Sequence, residues 1–174
     1  MTRRATAKDL EFIVKLEKNK LGFLSAGESL TQRTGYTIRE LQEKATKDRL
    51  ELSSAHLIDA KSALKSLMPA YRMSISRSYY SMYHAGRAVS FCANSGDDYQ
   101  DHSKLPSGIP KDFPNRDIWE NALKNARLER NRADYEPYPR NDAHFSDTAN
   151  EQIQLAMEFL KLVKSYLHAR GWQI

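Results

Sequence analysis

The chain has 174 residues, of which 40% are hydrophobic and 28% are charged, and this balance is typical of one soluble globular domain with its own core. Its 7 glycines and 6 prolines are too few for a collagen-like, Pro-rich or loop-dominated all-β protein. The single cysteine, Cys92, excludes an internal disulfide framework and every multi-cysteine metal centre, and it favours the reducing cytoplasm. No apolar run approaches the length of a membrane span, and the first residues lack the apolar core of a signal peptide.

Basic residues exceed acidic residues by 27 to 22, which gives a net charge of +5 and an isoelectric point near 9.3. The two signs of charge are mostly mixed along the chain rather than gathered in runs. The basic excess therefore gives only weak support to a polyanionic partner such as a nucleic acid.

The N-terminal residues carry a helical pattern. In the range 7–33, apolar residues recur at spacings of three, four and seven. Gly22 and Gly27 are expected to interrupt this helix, and Gly35 is expected to end it. We therefore assign residues 1–36 to an N-terminal helical extension.

Clear start and stop signals delimit the next two helices. Thr37 and Glu40 have the Thr-x-x-Glu form of a capping box, which predicts a new helix that continues to Pro69. This helix is long for a globular domain, which favours an arm of a helical bundle. The following helix, over 70–93, is predicted to end at the run Asn94-Ser95-Gly96.

A loop and two further helices complete the chain. The range 96–116 contains three prolines and two glycines, and a loop of this length is often part of a functional site. Helices are predicted over 117–135 and 146–170, with two prolines between them. The predicted fold is all-α: an up-down four-helix bundle over residues 37–174, preceded by the N-terminal extension.

One predicted helix carries most of the polar residues suited to chemistry. Arg77, Tyr80, His84 and Arg87 are spaced at i, i+3, i+7 and i+10, so they share one face. Arginines and a tyrosine on one face suit contacts with phosphates and bases. The alternative is an amphipathic helix whose polar residues pair with acids on neighbouring helices. The opposite face is expected in the core and comprises Ile75, Tyr79, Met82, Gly86 and Val89.

Arginines also crowd the end of the following helix, at Arg127, Arg130 and Arg132. Cations near a helix C-terminus complement the helix dipole, which is a sufficient structural explanation for them. None of the 5 histidines pairs with another at the i, i+4 spacing of a helical metal site. We therefore expect neither a metal nor a cofactor.

Three blocks of the sequence carry a resemblance to one protein family. The first is the polar helix over 74–89, the second is His102 with Lys104, and the third is the run Arg130-Asn131-Arg132-Ala133-Asp134-Tyr135. Together they resemble the HEPN family, the higher eukaryotes and prokaryotes nucleotide-binding domains, and the third block resembles the Arg-x-x-Ala-Asp-Tyr signature of a small prokaryotic branch of that family. The resemblance covers about residues 40–170.

The resemblance implies a four-helix bundle, usually a homodimer, with the polar motif at a dimer cleft. Many HEPN proteins are metal-independent endoribonucleases, which act as toxins encoded beside a nucleotidyltransferase-type antitoxin or as parts of phage-defence systems. In their motif an arginine stabilises the pentacovalent phosphorane, and a histidine moves protons during attack of the ribose 2′-hydroxyl. The resemblance therefore implies a protein that acts on RNA or binds a nucleotide.

In this sequence the motif begins with Arg130 and Asn131, but Tyr135 stands where the histidine would fall. A tyrosine, with an ordinary pKa of about 10, is a poor proton shuttle at neutral pH. The candidate catalytic residues are therefore Arg130 together with His84 and His102, either of which would supply the imidazole. The candidate binding residues are Arg77, Tyr80, Arg87, Asn131, Asp134 and Tyr135.

Two other interpretations are compatible with the same residues. One is a non-catalytic HEPN module that acts by binding RNA, a nucleotide or a partner protein, which the replaced histidine favours. The other is a structural network of Arg130 and Asp134, in which Arg130 pairs with a carboxylate across the bundle and Tyr135 caps the core. The three interpretations differ in whether substitution of Arg130 abolishes cleavage, weakens binding or unfolds the protein.

Overall fold

The computed structural model describes residues 5–94, 96 and 99–174; residues 1–4, 95, 97 and 98 lie outside this description. Its helices are α1 (Ala7–Val14), α2 (Lys18–Thr34), α3 (Ile38–Lys65), α4 (Tyr71–Ala93), α5 (Arg116–Tyr135) and α6 (Ser146–Ala169). Short 3₁₀ turns at Leu105–Gly108 and Asp142–Phe145 precede α5 and α6. No strand occurs among the described residues, and the predicted all-α class is confirmed.

The chain divides into two compact units, residues 1–42 and residues 43–174, and the division falls inside α3. The first unit holds α1, α2 and the beginning of α3. A capping box starts α1, in which the backbone N–H of Thr6 donates to Oδ2 of Asp9 at 2.7 Å. No residue in the range 5–42 is buried, so the described part of this unit has no core of its own.

Gly22 and Gly27 do not interrupt a helix, and that prediction is wrong. Both lie inside the continuous α2, and the break falls at residues 15–17 instead. A single glycine in a helix costs only about 1 kcal/mol, so neighbouring residues that favour the helix override it. Gly35 does end α2, with φ of 73°, a left-handed conformation that glycine adopts without strain.

The predicted capping box at the start of α3 is confirmed. The backbone N–H of Thr37 donates to Oε2 of Glu40 at 2.7 Å, and that of Glu40 donates to Oγ1 of Thr37 at 3.2 Å. The end of α4 also follows the prediction, since Asn94 is its C-cap. Ser95 of the predicted Asn94-Ser95-Gly96 stop lies outside the described residues.

The second unit is a helical bundle in which α3, α4 and α5 run antiparallel in succession. Residues early in one helix contact residues late in the next, which fixes these directions. The contacts are Thr46–Cys92 and His56–Arg77 between α3 and α4, and Arg72–Glu136 and Tyr80–Arg130 between α4 and α5.

The core of the bundle is built around α4, whose predicted buried face is confirmed. Ile75, Met82 and Val89 are fully buried, and Tyr79 is 2% exposed. Burial of this apolar surface is the main favourable contribution to folding. Because one face of α4 is fixed in the core, its other face is held toward α3 and α5, where the polar residues gather.

The connection between α4 and α5 is partly core rather than a free loop. Leu105, Ile109 and Phe113 are buried, and Oγ of Ser90 on α4 donates to the carbonyl of Gly108 at 3.0 Å. This packing anchors residues 105–113 of the range predicted as a loop over 96–116. Before them, Gln100 and His102 contact Tyr83 and Tyr79 of α4.

Candidate functional site

The loop histidine His102 lies against two tyrosines of α4. Its Nδ1 is 2.6 Å from the hydroxyl oxygen of Tyr79, and its ring stacks on Tyr83 with 4.0 Å between centroids and an interplanar angle of 4°. The Tyr83 hydroxyl donates to the backbone carbonyl of Gln100 at 2.6 Å, which ties the loop to the helix. Burial raises the pKa of Tyr79 well above its ordinary value, so this tyrosine keeps its proton at neutral pH.

A second pair of imidazoles joins α3 to α4. The rings of His56 and His84 stack with 5.4 Å between centroids and an interplanar angle of 10°. The edge of His84 meets the Tyr83 ring at 5.2 Å, and His56 lies 5.5 Å from the Tyr80 ring. Three histidines therefore belong to one aromatic cluster, which we call the imidazole cluster: His56, His84 and His102 with Tyr79, Tyr80 and Tyr83.

Arg130 of α5 contacts this cluster through Tyr80. Its Nη2 donates to the Tyr80 hydroxyl at 2.5 Å, its Nη1 donates to Oδ1 of Asn131 at 3.0 Å, and its Nε lies 2.8 Å from Oδ2 of Asp134. Burial opposes the charge of Arg130, but the bond to Tyr80 and the carboxylate of Asp134 outweigh it and raise the pKa. The guanidinium is therefore a fixed cation.

Arg130 and Asp134 do form a network, as the structural interpretation expected, but its other two particulars are wrong. The carboxylate that pairs with Arg130 is Asp134, one turn along the same helix rather than across the bundle. Tyr135 is 70% exposed and caps no core. Ser76 of α4 donates to Oδ2 of Asp134 at 3.3 Å, so this carboxylate links α5 to α4 in addition to the bond between Arg130 and Tyr80.

Two histidines of the cluster are held in their neutral form at neutral pH. Burial first, and then the neighbouring His56 and Arg87, lower the pKa of His84 to about 4. Burial and the charge of Arg77 lower the pKa of His56, whose Nδ1 is 3.5 Å from an Nη1 of that arginine. Both shifts have one physical cause: a protonated imidazole would be poorly solvated and repelled by cations.

The same causes act on His102. Burial, followed by the charges of Arg130 and Arg127, lowers its pKa, and only Asp101 acts in the opposite direction to a notable degree. A bound anion would reverse part of this effect, because it would offset the arginines and stabilise a protonated imidazole. Binding of an anion at this site would therefore favour uptake of a proton by His102.

The structure places the remaining predicted residues around the same cluster. Arg77 contacts His56, and the guanidinium carbon of Arg87 is 5.5 Å from the Tyr83 centroid. Asn131 and Asp134 both contact Arg130, as described above. The ring centroid of Tyr135 is 5.3 Å from the guanidinium carbon of Arg130, and the ring centroid of Tyr80 is 6.2 Å from that of His102.

Sequence reasoning missed His56. In a single long amphipathic helix, one half-buried histidine has no spacing that distinguishes it from any other polar residue. Its significance arises only from the antiparallel packing of α3 on α4, which brings it to His84. His84 on α4 was a candidate from the sequence, but the register that packs α3 against α4 could not be predicted from it.

Within the described part of the chain, no group of three or more histidine, cysteine, aspartate or glutamate side chains is arranged to hold a metal ion. None of its helices has the length and apolar character needed to cross a membrane. Comparison of the chain with protein-family models, with curated proteins and with solved structures finds no match. The function is therefore argued from the imidazole cluster and its arginines.

Proposed function

We propose that this chain is a HEPN-type protein that acts on RNA and cleaves it without a metal ion. The observation that carries the proposal is the position of neutral imidazoles beside fixed arginines: His102 and His84 lie in one aromatic cluster with Tyr80, which holds Arg130. A neutral imidazole accepts a proton, and a fixed guanidinium binds a phosphate. Attack of a ribose 2′-hydroxyl on the neighbouring phosphodiester requires both a proton acceptor and a cation that binds the phosphate.

In the proposed reaction, the imidazole of His102 takes the proton of the ribose 2′-hydroxyl. The 2′-oxygen then forms a bond to phosphorus while the bond from phosphorus to the 5′-oxygen breaks. Arg130 stabilises the charge of the pentacovalent phosphorane. The leaving 5′-oxygen takes a proton from water, and the imidazolium of His102 returns its proton to the hydroxide so formed. The products are a 2′,3′-cyclic phosphate and a 5′-hydroxyl.

His102 suits the role of base better than His84 for two reasons. It lies on the connection before α5, whereas His84 is stacked on His56 and meets the Tyr83 ring edge to face. Burial, and then the charge of Arg130, lower its pKa, so a proton on His102 and the cation of Arg130 repel each other. In this role Nδ1–H of His102 donates to the Tyr79 hydroxyl oxygen, which leaves Nε2 free to accept a proton.

A second candidate function is binding of RNA or a nucleotide without cleavage. It is favoured by the contacts of Arg130, because each of its three guanidinium nitrogens already lies beside a polar group of Tyr80, Asn131 or Asp134. Tyr135 also takes the place of the motif histidine. A homodimer, a nucleotidyltransferase-type antitoxin as partner and a role in phage defence stay predictions that follow from the sequence resemblance.

The test is incubation of the purified protein with end-labelled tRNA and a structured RNA in the presence of a chelator. Arg130→Ala and His102→Gln are compared with Arg132→Ala, a matched change on the same helix. We expect the first two to lose cleavage by at least a hundredfold, the control to retain it, and all to keep the wild-type melting temperature within a few degrees.

Each alternative gives a different result in the same experiment. The non-catalytic function is supported if neither the wild-type protein nor any variant cleaves the RNA, while the wild-type protein binds it and Arg130→Ala binds it more weakly. If Arg130→Ala is unfolded, Arg130→Lys separates the two roles, since it keeps a cation near Asp134 but loses the planar guanidinium.

A further inference from the structure

Two tyrosines near the end of α5 are unusually open to solvent. Tyr135, the last residue of α5, is 70% exposed, and Tyr138 in the connection that follows is 63% exposed. Leaving large aromatic rings in water forgoes the hydrophobic gain of burying them. Exposed aromatic side chains close together on one segment suggest a binding surface rather than a structural role.

Each of these tyrosines lies beside an arginine. The guanidinium carbon of Arg130 is 5.3 Å from the ring centroid of Tyr135, and that of Arg140 is 5.6 Å from the ring centroid of Tyr138. Arginine binds phosphates, and an exposed ring stacks on a base. The same segment therefore offers both contacts that a nucleotide chain makes.

The segment that carries the tyrosines is fixed in place by Arg72 of α4. One of its terminal nitrogens donates to the carbonyl of Glu136 at 2.8 Å, and the other donates to the carbonyl of Pro139 at 2.8 Å. Its Nε lies 2.8 Å from Asp142. Because these bonds fix the segment, it loses less conformational entropy when it binds a ligand than a free loop would.

We infer that Tyr135 and Tyr138 stack unpaired bases, so that the RNA acted on by the imidazole cluster is single-stranded where it binds. This inference rests on the proposed function. Bases in a double helix are stacked on each other and offer no free face to a protein ring, whereas unpaired bases do. Arg130 contacts both Tyr80 and Tyr135, so a base on Tyr135 would have its phosphate close to the proposed catalytic arginine.

The experiment measures binding of full-length protein to a fluorescent oligonucleotide by anisotropy. The probe is a short RNA with 2′-O-methyl groups, which lacks the nucleophile and is not cleaved, used as a single strand and as the same strand annealed to its complement. The variants are Tyr135→Ala, Tyr138→Ala and Tyr135→Phe. The control is Ile118→Ala, which removes an exposed side chain (65%) from the other end of α5.

We expect the wild-type protein to bind the single strand more tightly than the duplex. Each alanine variant should weaken single-strand binding by roughly 5- to 100-fold, the range of one base–aromatic stack, while Tyr135→Phe and Ile118→Ala leave it unchanged. The inference is overturned if both alanine variants bind the single strand as tightly as wild type, or if the duplex binds equally well. If the wild-type protein binds neither the single strand nor the duplex, the proposed function is overturned, and this inference with it.

Discussion

Arg130 of α5 and Tyr80 of α4 are joined by a hydrogen bond of 2.5 Å, and the guanidinium carbon also lies 5.3 Å from the tyrosine ring centroid. This single contact connects the arginine to the imidazole cluster, because the Tyr80 ring faces both His56 and His102. The tyrosine therefore both positions the arginine and separates it from the histidines.

Replacement of Tyr80 by phenylalanine keeps this ring and removes its hydroxyl. We expect the free energy of unfolding to fall by about 1 kcal/mol, because a charged donor loses its acceptor at a partly exposed site. RNA affinity should fall several-fold, since Arg130 is no longer held. Chemical denaturation and anisotropy measure the two effects, with Tyr138→Phe, which removes a hydroxyl at an exposed position and keeps the ring, as control. Unchanged stability together with unchanged affinity would contradict the positioning role.

The stability of the protein should depend on pH through His84. Its pKa in the fold is about 4, below the ordinary value of 6.5, so between these values the unfolded chain binds a proton that the folded chain does not. The free energy of unfolding therefore falls as the pH falls from 6.5 toward 4. We expect His84 to contribute about 1–2 kcal/mol to this loss, less than the full shift would give, because its side chain is only partly buried.

A pH series of denaturation curves tests this expectation. His56 and His102 act in the same direction, since their pKa values are lowered too, so His84→Asn should flatten the profile without abolishing it. His168→Asn, a change at an exposed position of α6, serves as the control. Equal slopes for wild type and His84→Asn between pH 6.5 and 4.5 would show that His84 is not held neutral by the fold.

Gly108 is expected to tolerate no side chain. A Cβ at this position would lie 2.5 Å from Cδ2 of Tyr99 and 3.0 Å from Oγ of Ser90, so Gly108→Ala should lower the free energy of unfolding by about 1–3 kcal/mol. Gly22→Ala is the matched control, because a Cβ there meets nothing within 4 Å and alanine favours a helix. Thermal unfolding followed by circular dichroism measures both; a Gly108→Ala protein as stable as wild type would show that the connection adjusts freely.

Local features of the fold were predictable where one short segment contains all the information. The capping box of Thr37 and Glu40 and the left-handed Gly35 need only their own neighbours. The glycines of α2 show the limit of this reasoning, since an intrinsic preference of about 1 kcal/mol does not stop a helix that the surrounding residues favour. The connection before α5 was predicted as a loop, and its buried Leu105 and Ile109 were not foreseen because their partners lie far away in sequence.

The sequence by itself determined the all-helical class, the polar and apolar faces of α4 and the residue types offered to a ligand, because helical periodicity and capping act over a few residues. The tertiary structure decided which of these groups meet. It brought His56 to His84, made Asp134 rather than a distant carboxylate the partner of Arg130, and left Tyr135 in solvent. These outcomes depend on the register between packed helices, which is set by the fit of whole side-chain surfaces and is not encoded in any one segment.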